Sequence, residues 1–482
     1  MKRRKPAETE PPIVSLVNLG CAKNLVDSER ILGALAEEGF LIAQDPAIAD
    51  LCLVNTCGFI DEARQETAAV LKELNGLKAG GKLRTVVALG CLVERAADAS
   101  ELSRFLSHAD ARLGFKDYPT LPKIVKELVE AKGGSERYAQ AVRSYAEGPA
   151  VSAAKKKVPK SYNDFLVAPR MRIGAQHHAY LKISEGCSNP CRFCSIPRMR
   201  GLQASRPVEE LVEEAQRLAE GGAQEISLIA QDTSSYGKDL YGEYRLPQLL
   251  EALKTVAGPR WFRLMYAYPR YLNAAMLDVL ASDPRFCPYI DIPLQHISDR
   301  MLKAMARMVT KDETLQLLDL IAAKLKGAAI RTTFIVGYPG ESEADFLEVL
   351  ELVESGRFTH AGVFLYSNEP LTPAAREPET VPLDEKLRRR EALMLAQLEV
   401  SRKRLQARVG QTVDVLVDGA LPAGADAPKG AHAAGRTQLE AWEVDGLVYL
   451  SGKAARGLEP GTLIQAHITK ALDYDLVAQP LA

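Results

Sequence analysis

The sequence predicts an α/β protein in three parts. An N-terminal parallel α/β domain covers residues 13–125, a β/α partial or full barrel 177–404, and a C-terminal small all-β barrel 405–482, with 126–176 as a connector. Three observations predict this. Short apolar runs alternate with helical patterns before residue 125, the alternation resumes through six units after Tyr180, and short strand-like runs separated by turn residues fill the last ~75 residues. A chain of 482 residues is long enough for about three domains at roughly 100–200 residues each.

Ile13–Leu19, Leu51–Asn55 and Thr85–Leu89 read as strands, with helices over Leu25–Glu38, stopped by Gly39, and Ile60–Leu74. Strand–helix–strand alternation implies parallel pairing with right-handed crossovers. In the connector, Ala131-Lys-Gly-Gly-Ser135 reads as partly flexible and Lys155-Lys-Lys157 as a solvated face. The six barrel strands are Tyr180–Ser184, Glu225–Ala230, Phe262–Ala267, Tyr289–Leu294, Ile330–Val336 and Ala361–Tyr366, and a charged helix over about Asp384–Gln406 follows. In such a barrel the chemistry sits at the C-terminal strand ends. Thr412–Val417, Leu439–Val444, Leu447–Leu450 and Leu463–Ala471 read as the last strands, with Asp445-Gly446 as a hairpin signal.

Composition sets the class. Apolar residues make up 47% and charged residues 26%, which excludes global disorder. The net charge of −1 gives no overall basic field to draw the chain to nucleic acid. No run approaches the ~18 apolar residues of a membrane span. Met1-Lys-Arg-Arg-Lys5 precedes Pro-Ala-Glu-Thr-Glu-Pro-Pro instead of an apolar stretch, so no secretory signal is expected and the compartment is expected to be the reducing cytosol. There, eight cysteines read as ligands or catalytic groups, not bridges.

Cys187, Cys191 and Cys194 form C-x3-C-x2-C directly after the first barrel strand. Zinc is the plain alternative, but structural zinc takes four ligands and no fourth lies nearby. Three thiolates on a four-iron cluster leave one iron open. Cys21, Cys57 and Cys91 each follow the end of one N-terminal strand, beside Gly20, Gly58 and Gly90. Ligands bind at that edge of a parallel sheet, so a second three-cysteine cluster is expected. Cys52, inside an apolar strand, and Cys287, between Phe286 and Pro288, read as core residues. Gln231-Asp232, Gln295-His296 and Ile335-Val-Gly-Tyr-Pro-Gly340 lie at barrel strand ends, where site membership is expected.

On these residues the chain resembles a known family. Glu185-Gly-Cys-Ser-Asn-Pro-Cys-Arg-Phe-Cys194 on a β/α barrel looks like the radical S-adenosylmethionine (SAM) enzymes, and the N-terminal cysteines and terminal β-barrel make it resemble the methylthiotransferases. Leu19-Gly-Cys-Ala-Lys-Asn-Leu-Val-Asp-Ser-Glu29, Tyr180-Leu-Lys-Ile-Ser-Glu-Gly186, Pro197-Arg-Met-Arg-Gly201, Gln231-Asp-Thr-Ser-Ser-Tyr-Gly237, Pro293-Leu-Gln-His296 and Arg331-Thr-Thr-Phe-Ile-Val-Gly337 resemble the RimO-like branch, which acts on a ribosomal protein. The alternative is the branch that modifies adenosine in transfer RNA. A non-catalytic zinc protein that binds nucleic acid is the alternative from another class. Glu369-Pro-Leu-Thr372 and Leu439-Glu-Ala-Trp442 depart from the family pattern, the first lacking its glycine before Thr and the second its Asp-Ala-Pro. The resemblance covers about Ile13 to Val477, apart from the connector.

The resemblance implies an N-terminal cluster domain, a radical SAM partial barrel and a C-terminal TRAM barrel. It implies methylthiolation of the β-carbon of an aspartate in small-subunit ribosomal protein twelve. Two [4Fe-4S] clusters are implied, on Cys187, Cys191 and Cys194 and on Cys21, Cys57 and Cys91, the first binding SAM and the second carrying the sulfur. It places Phe193, Gln231 and Gly337 in the SAM pocket, and calls for a reductant protein and a sulfur donor. No proton-handling residue is singled out. Residues 405–482 hold six Lys/Arg and nine Asp/Glu, a balance that suits a basic protein partner better than a phosphate backbone.

Overall fold

Five strands build the N-terminal sheet: β1 (Ile13–Asn18), β2 (Leu41–Ala43), β3 (Leu51–Thr56), β4 (Thr85–Gly90) and β5 (Ala111–Leu113). They pair in the order β2-β1-β3-β4-β5, all parallel. Side chains alternate between two cores, as period two requires. Leu51, Leu53, Val87 and Leu89 face one core and Cys52, Val54, Val86 and Ala88 the other. Helices α1 (Ala22–Glu37), α2 (Asp61–Leu77) and α3 (Cys91–Asp98) lead away from the C-terminal ends of β1, β3 and β4. The two short edge strands carry only three residues each, too few for a pattern to betray them.

The computed structural model describes residues 11–130, 165 and 168–481. Within these, the chain forms two compact units, one of residues up to 173 together with 195–203, the other of 174–194 with 204–482. Ser195–Gln203 therefore groups with the N-terminal sheet although it directly follows Cys194; Met199 is buried in that core. Of the expected connector, 126–130 continues helix α4 (Leu121–Glu130). Arg170 forms a buried ion pair with Glu29. The Lys155–Lys157 run lies outside the described residues.

The second unit opens with β6 (His178–Lys182) and a two-residue antiparallel ladder, β7 (Ser184–Glu185) with β8 (Ala204–Ser205). Then come β9 (Glu225–Ile229), β10 (Trp261–Leu264), β11 (Phe286–Asp291), β12 (Ala329–Val336) and β13 (His360–Leu365). The parallel order β13-β12-β11-β10-β9-β6 follows the sequence and leaves β6 and β13 as edges, so the barrel is partial. Its core runs from Leu181 and Leu228 through Phe262 and Ile290 to Phe334 and Val349. Cys287 is buried in β11, where burial pushes its thiol up to about 12.

A closed antiparallel-rich barrel ends the chain: β14 (Thr412–Ala420), β15 (Ala431–Arg436), β16 (Val448–Ser451), β17 (Leu463–Ala471) and β18 (Leu476–Pro480), in the order β14-β15-β16-β18-β17. Two expectations are corrected here. Leu439–Val444 is turn structure, and Asp445-Gly446 is no hairpin. The Asp445 carboxylate instead accepts from the Ala441 amide at 2.9 Å and the Tyr289 hydroxyl at 2.6 Å, which ties the turn to the β11 strand. The missed strands are β18 (Leu476–Pro480) and β15, which is Ala-His-Ala-Ala-Gly-Arg with little β propensity. Its Gly435 is needed because a Cβ would come within 2.5 Å of the Leu416 carbonyl oxygen.

A buried ionic network anchors this barrel to the central sheet. Glu225 accepts from Arg263 Nε and from Arg436 Nη1, each at 2.6 Å, and Arg436 also donates to Asp418 at 2.9 and 3.0 Å. His177 Nε2 meets Asp418 at 3.0 Å. Trp442 stacks on His178 and lies under the Arg436 guanidinium, which makes it a packing residue of this junction. Burial pushes His178 down to about 3.

Candidate active site

Each N-terminal cysteine lies where a parallel strand gives way to a helix. Cys21 is the N-cap of α1, Cys57 lies in the loop between β3 and α2, and Cys91 is the first residue of α3. Helix N-termini favour negative charge, which suits an anionic ligand at the starts of α1 and α3. Gly20 is required by close approach, since a Cβ there would sit 2.8 Å from Cys57 Cβ and 3.1 Å from its Sγ. It also has φ +91°, as Gly90 has +92°. The three thiols sense one another: burial is the main cause that pushes Cys91 up to about 12, and Cys57 and Cys21 add to it. Burial also raises Cys57.

Sequence reasoning missed the groups around this triad. Asn24 donates to the carbonyls of Leu19 (2.9 Å) and Thr56 (3.1 Å), tying the ends of β1 and β3. Arg200 Nε lies 3.3 Å from Cys91 Sγ, and the same guanidinium reaches Asp27 at 3.0 Å and Asn24 Oδ1 at 2.5 Å. Arg200 stands 109 residues from Cys91, a separation no spacing pattern reveals.

The loop Cys187–Cys194 follows β7 at the C-terminal end of the barrel. Its backbone is pinned by Arg192, whose amide donates to the Met305 carbonyl at 3.1 Å and whose carbonyl accepts from Ala374 at 3.0 Å. Asn189 Nδ2 donates to Asp232 at 2.7 Å and lies 3.5 Å from Cys187 Sγ. Arg307 Nη1 lies 3.4 Å from Cys191 Sγ and Nη2 donates to the Pro293 carbonyl at 2.5 Å, with the guanidinium 4.2 Å over the Tyr268 ring. Burial pushes Cys187 up to about 12, with Asp232 the next cause.

The expected SAM-pocket residues occupy distinct places. Gln231 donates to Glu185 Oε1 at 2.7 Å, and its own Oε1 is buried without a partner. Glu185 also pairs with buried Lys182 at 2.8 Å. Phe193 packs, partly buried, with Met301, Met305, Tyr338 and Tyr366. Gly337 has φ +76°, and a Cβ there would meet the Lys386 stem at 2.3 Å. His296, expected at the mouth, is 1% exposed and engaged in fixing its own loop. Its Nδ1 accepts from the amides of Ile297 (2.9 Å) and Ser298 (3.0 Å), so Nε2 carries the proton and donates to Glu341 at 3.2 Å. Asp232 likewise holds Ser234 and Asn189.

Among the described residues, no three His, Cys, Asp or Glu side chains surround a single metal ion. The thiolates of an iron–sulfur cluster bind different irons and need no common point. The donor set fits such a cluster: each site offers three free thiols, of which Cys91 and Cys187 are buried, and metal binding displaces thiol protons.

Comparison with known proteins decides the family. Residues 14–114 match uncharacterized protein family UPF0004, 181–353 the radical SAM superfamily, and 409–481 the TRAM domain. A protein of Anaeromyxobacter sp. (strain K), ribosomal protein uS12 methylthiotransferase RimO, is 43% identical over 97% of this chain and 93% of its own length. The same-named protein of Desulforudis audaxviator (strain MP104C) is 41% identical over 99% of both chains. The chain belongs to the RimO family of radical SAM methylthiotransferases. Membership makes it an enzyme and implies SAM and a [4Fe-4S] cluster. At the level of fold, the radical SAM methyltransferase TsrM of Kitasatospora setae, solved with tryptophan and aza-SAM, aligns with a TM-score of 0.52 at 15% identity, over 86% of this chain and 79% of that one. No helix among the described residues is long and apolar enough to cross a membrane.

Proposed function

We propose that this enzyme methylthiolates the β-carbon of an aspartate in ribosomal protein uS12. The observation that carries the reading is the near full-length identity, 37–43%, to RimO proteins named for that substrate. A ribosomal substrate puts the enzyme in the cytoplasm, with a reductant protein and a sulfur donor as further partners.

An aspartate β-C–H is far too weakly acidic for a side-chain base, so C–S bond formation there calls for radical chemistry. Bound SAM, reductively cleaved at a [4Fe-4S] cluster, supplies that chemistry. Cys187, Cys191 and Cys194 would hold this cluster, and Cys21, Cys57 and Cys91 a second one for the transferred sulfur. Asn189, fixed by Asp232, orients the Cys187 side of the loop, and Arg307 the Cys191 side. Gln231 offers its unpartnered carbonyl oxygen to a ligand donor, held in aim by Glu185. Phe193 and Gly337 would complete the SAM pocket.

The test compares two variants on uS12 peptide and, as a control, on adenosine of transfer RNA. Cys191→Ala is expected to lose SAM cleavage. Cys57→Ala is expected to keep cleavage and lose methylthio transfer. Full transfer by purified Cys57→Ala, or mass gain on transfer RNA instead of the peptide, defeats the reading.

A further inference from the structure

We propose that Arg200 is a positioning residue that sets the reduction potential of a cluster held by Cys21, Cys57 and Cys91, by donating a hydrogen bond to the Cys91 sulfur. The inference rests on the second-cluster reading and goes beyond it.

The geometry is that of a built device. Arg200 is buried, with Nε 3.3 Å from Cys91 Sγ. Asp27, fully buried, holds the guanidinium at 3.0 Å, Asn24 holds it at 2.5 Å, and the Phe115 ring lies 4.7 Å beneath it. Asn24 is itself tied to the ends of β1 and β3, so the guanidinium is located against the strand ends that carry Cys21 and Cys57. An arginine reaches sulfur, carboxylate and amide at once through its planar fork, which a lysine cannot do.

A buried guanidinium–carboxylate pair is a poor source of stability compared with apolar packing, so stability alone does not account for it. Its chemistry toward the sulfur does. A [4Fe-4S]2+ core with three thiolates carries one net negative charge, and reduction adds a second in a site where Cys91 is only 7% exposed. Hydrogen bonds to cluster sulfurs and local charge are the terms that move such potentials. Asp27 cancels most of the guanidinium charge, which leaves the directed N–H as the main effect. That donor stabilises the more negative, reduced state and holds the potential up.

The test uses the full chain, anaerobically reconstituted, in a Cys191→Ala background so that only the second triad binds a cluster. Midpoints are read by titration followed by electron paramagnetic resonance. Asp27→Asn with Arg200→Gln removes the donor without changing net charge, and is expected to favour the oxidised cluster at least tenfold, a fall of about 59 mV. Asp27→Asn alone leaves the guanidinium uncancelled beside the sulfur, and is expected to raise the midpoint. If the double variant loses its iron, the upward shift of Asp27→Asn still decides. Bound cluster with an unmoved midpoint, or the same sign of shift in both variants, overturns the inference alone. No iron in the Cys191→Ala parent overturns the two-cluster reading and the inference with it.

Discussion

Replacing Arg436 with Met tests whether the buried ionic network holds the C-terminal barrel to the central sheet. Arg436 donates three charge-assisted hydrogen bonds, at 2.6 Å to Glu225 and at 2.9 and 3.0 Å to Asp418; Arg436 and Glu225 are fully buried and the Asp418 side chain is 9% exposed. Met keeps much of the stem that packs near Trp442 but leaves the carboxylates short of a partner. Removing one member of a buried pair costs about 3–5 kcal/mol. Here Glu225 keeps Arg263 and Asp418 keeps His177, so the lower end, about 3 kcal/mol, is expected. With a urea slope of about 2 kcal/mol/M, the midpoint should fall by roughly 1.5 M. Trp261 and Trp442 are the only tryptophans, and Trp442 sits in the junction. Fluorescence in a Trp261→Phe background therefore reads the junction directly, under anaerobic conditions. Lys470→Met, at an exposed position of β17, is the control. An Arg436→Met midpoint equal to that of the control refutes the anchoring argument.

Glu225→Gln should destabilise at pH 7, and the gap to the parent should close in acid. Burial opposes the Glu225 charge, but Arg263 and Arg436 outweigh it and hold the carboxyl well below its usual range. Its contribution is thus full above the unfolded value of about 4.3 and disappears as pH falls through the depressed folded value. Urea titrations from pH 7 down to 3 check the sign; a gap that widens in acid rejects it. Gly33→Ala places a Cβ 2.2 Å from the Pro169 carbonyl oxygen, and should loosen the segment around Arg170 at about 1–3 kcal/mol. The readout is faster hydrogen exchange at Met171, whose amide donates to the Glu29 carbonyl. Asp232→Ala should release Asn189 from its place beside Cys187, and iron bound by a Cys57→Ala chain, which depends on the loop triad alone, should then be lost faster to a chelator. Unchanged loss would remove Asn189 from the loop's support.

The charge balance of residues 405–482 looks different once folded. Asp418, Glu440, Asp445 and Asp473 are paired with Arg436, Arg408, Arg331 and Arg402. Among the charges left outside these pairs, Lys429, Lys453, Arg456 and Lys470 stand against Asp414, Asp426, Glu443, Glu459 and Asp475, close to neutral. A sum over sequence counts interior ions as if they faced a partner. The substrate class therefore rests on the relatives and not on this charge.

Sequence by itself determined what depends on local pattern. Apolar periodicity located β1, β3, β4 and the six barrel strands, because burial on both faces of a parallel sheet leaves continuous apolar runs. Strand-end position marked Cys21, Cys57 and Cys91 as candidate ligands, and spacing marked Cys187, Cys191 and Cys194. Short or Ala-rich strands such as β5 and β15 escaped, because their partners and not their residues make them strands. Tertiary structure alone decided which polar groups meet. It brought Arg200 to Cys91 and Arg307 to Cys191 across more than 100 residues, turned His296 inward to Glu341, and buried Trp442's face against His178. The physical reason is that hydrophobic pattern repeats along the chain, whereas a hydrogen bond depends on a direction in space that only the folded backbone supplies.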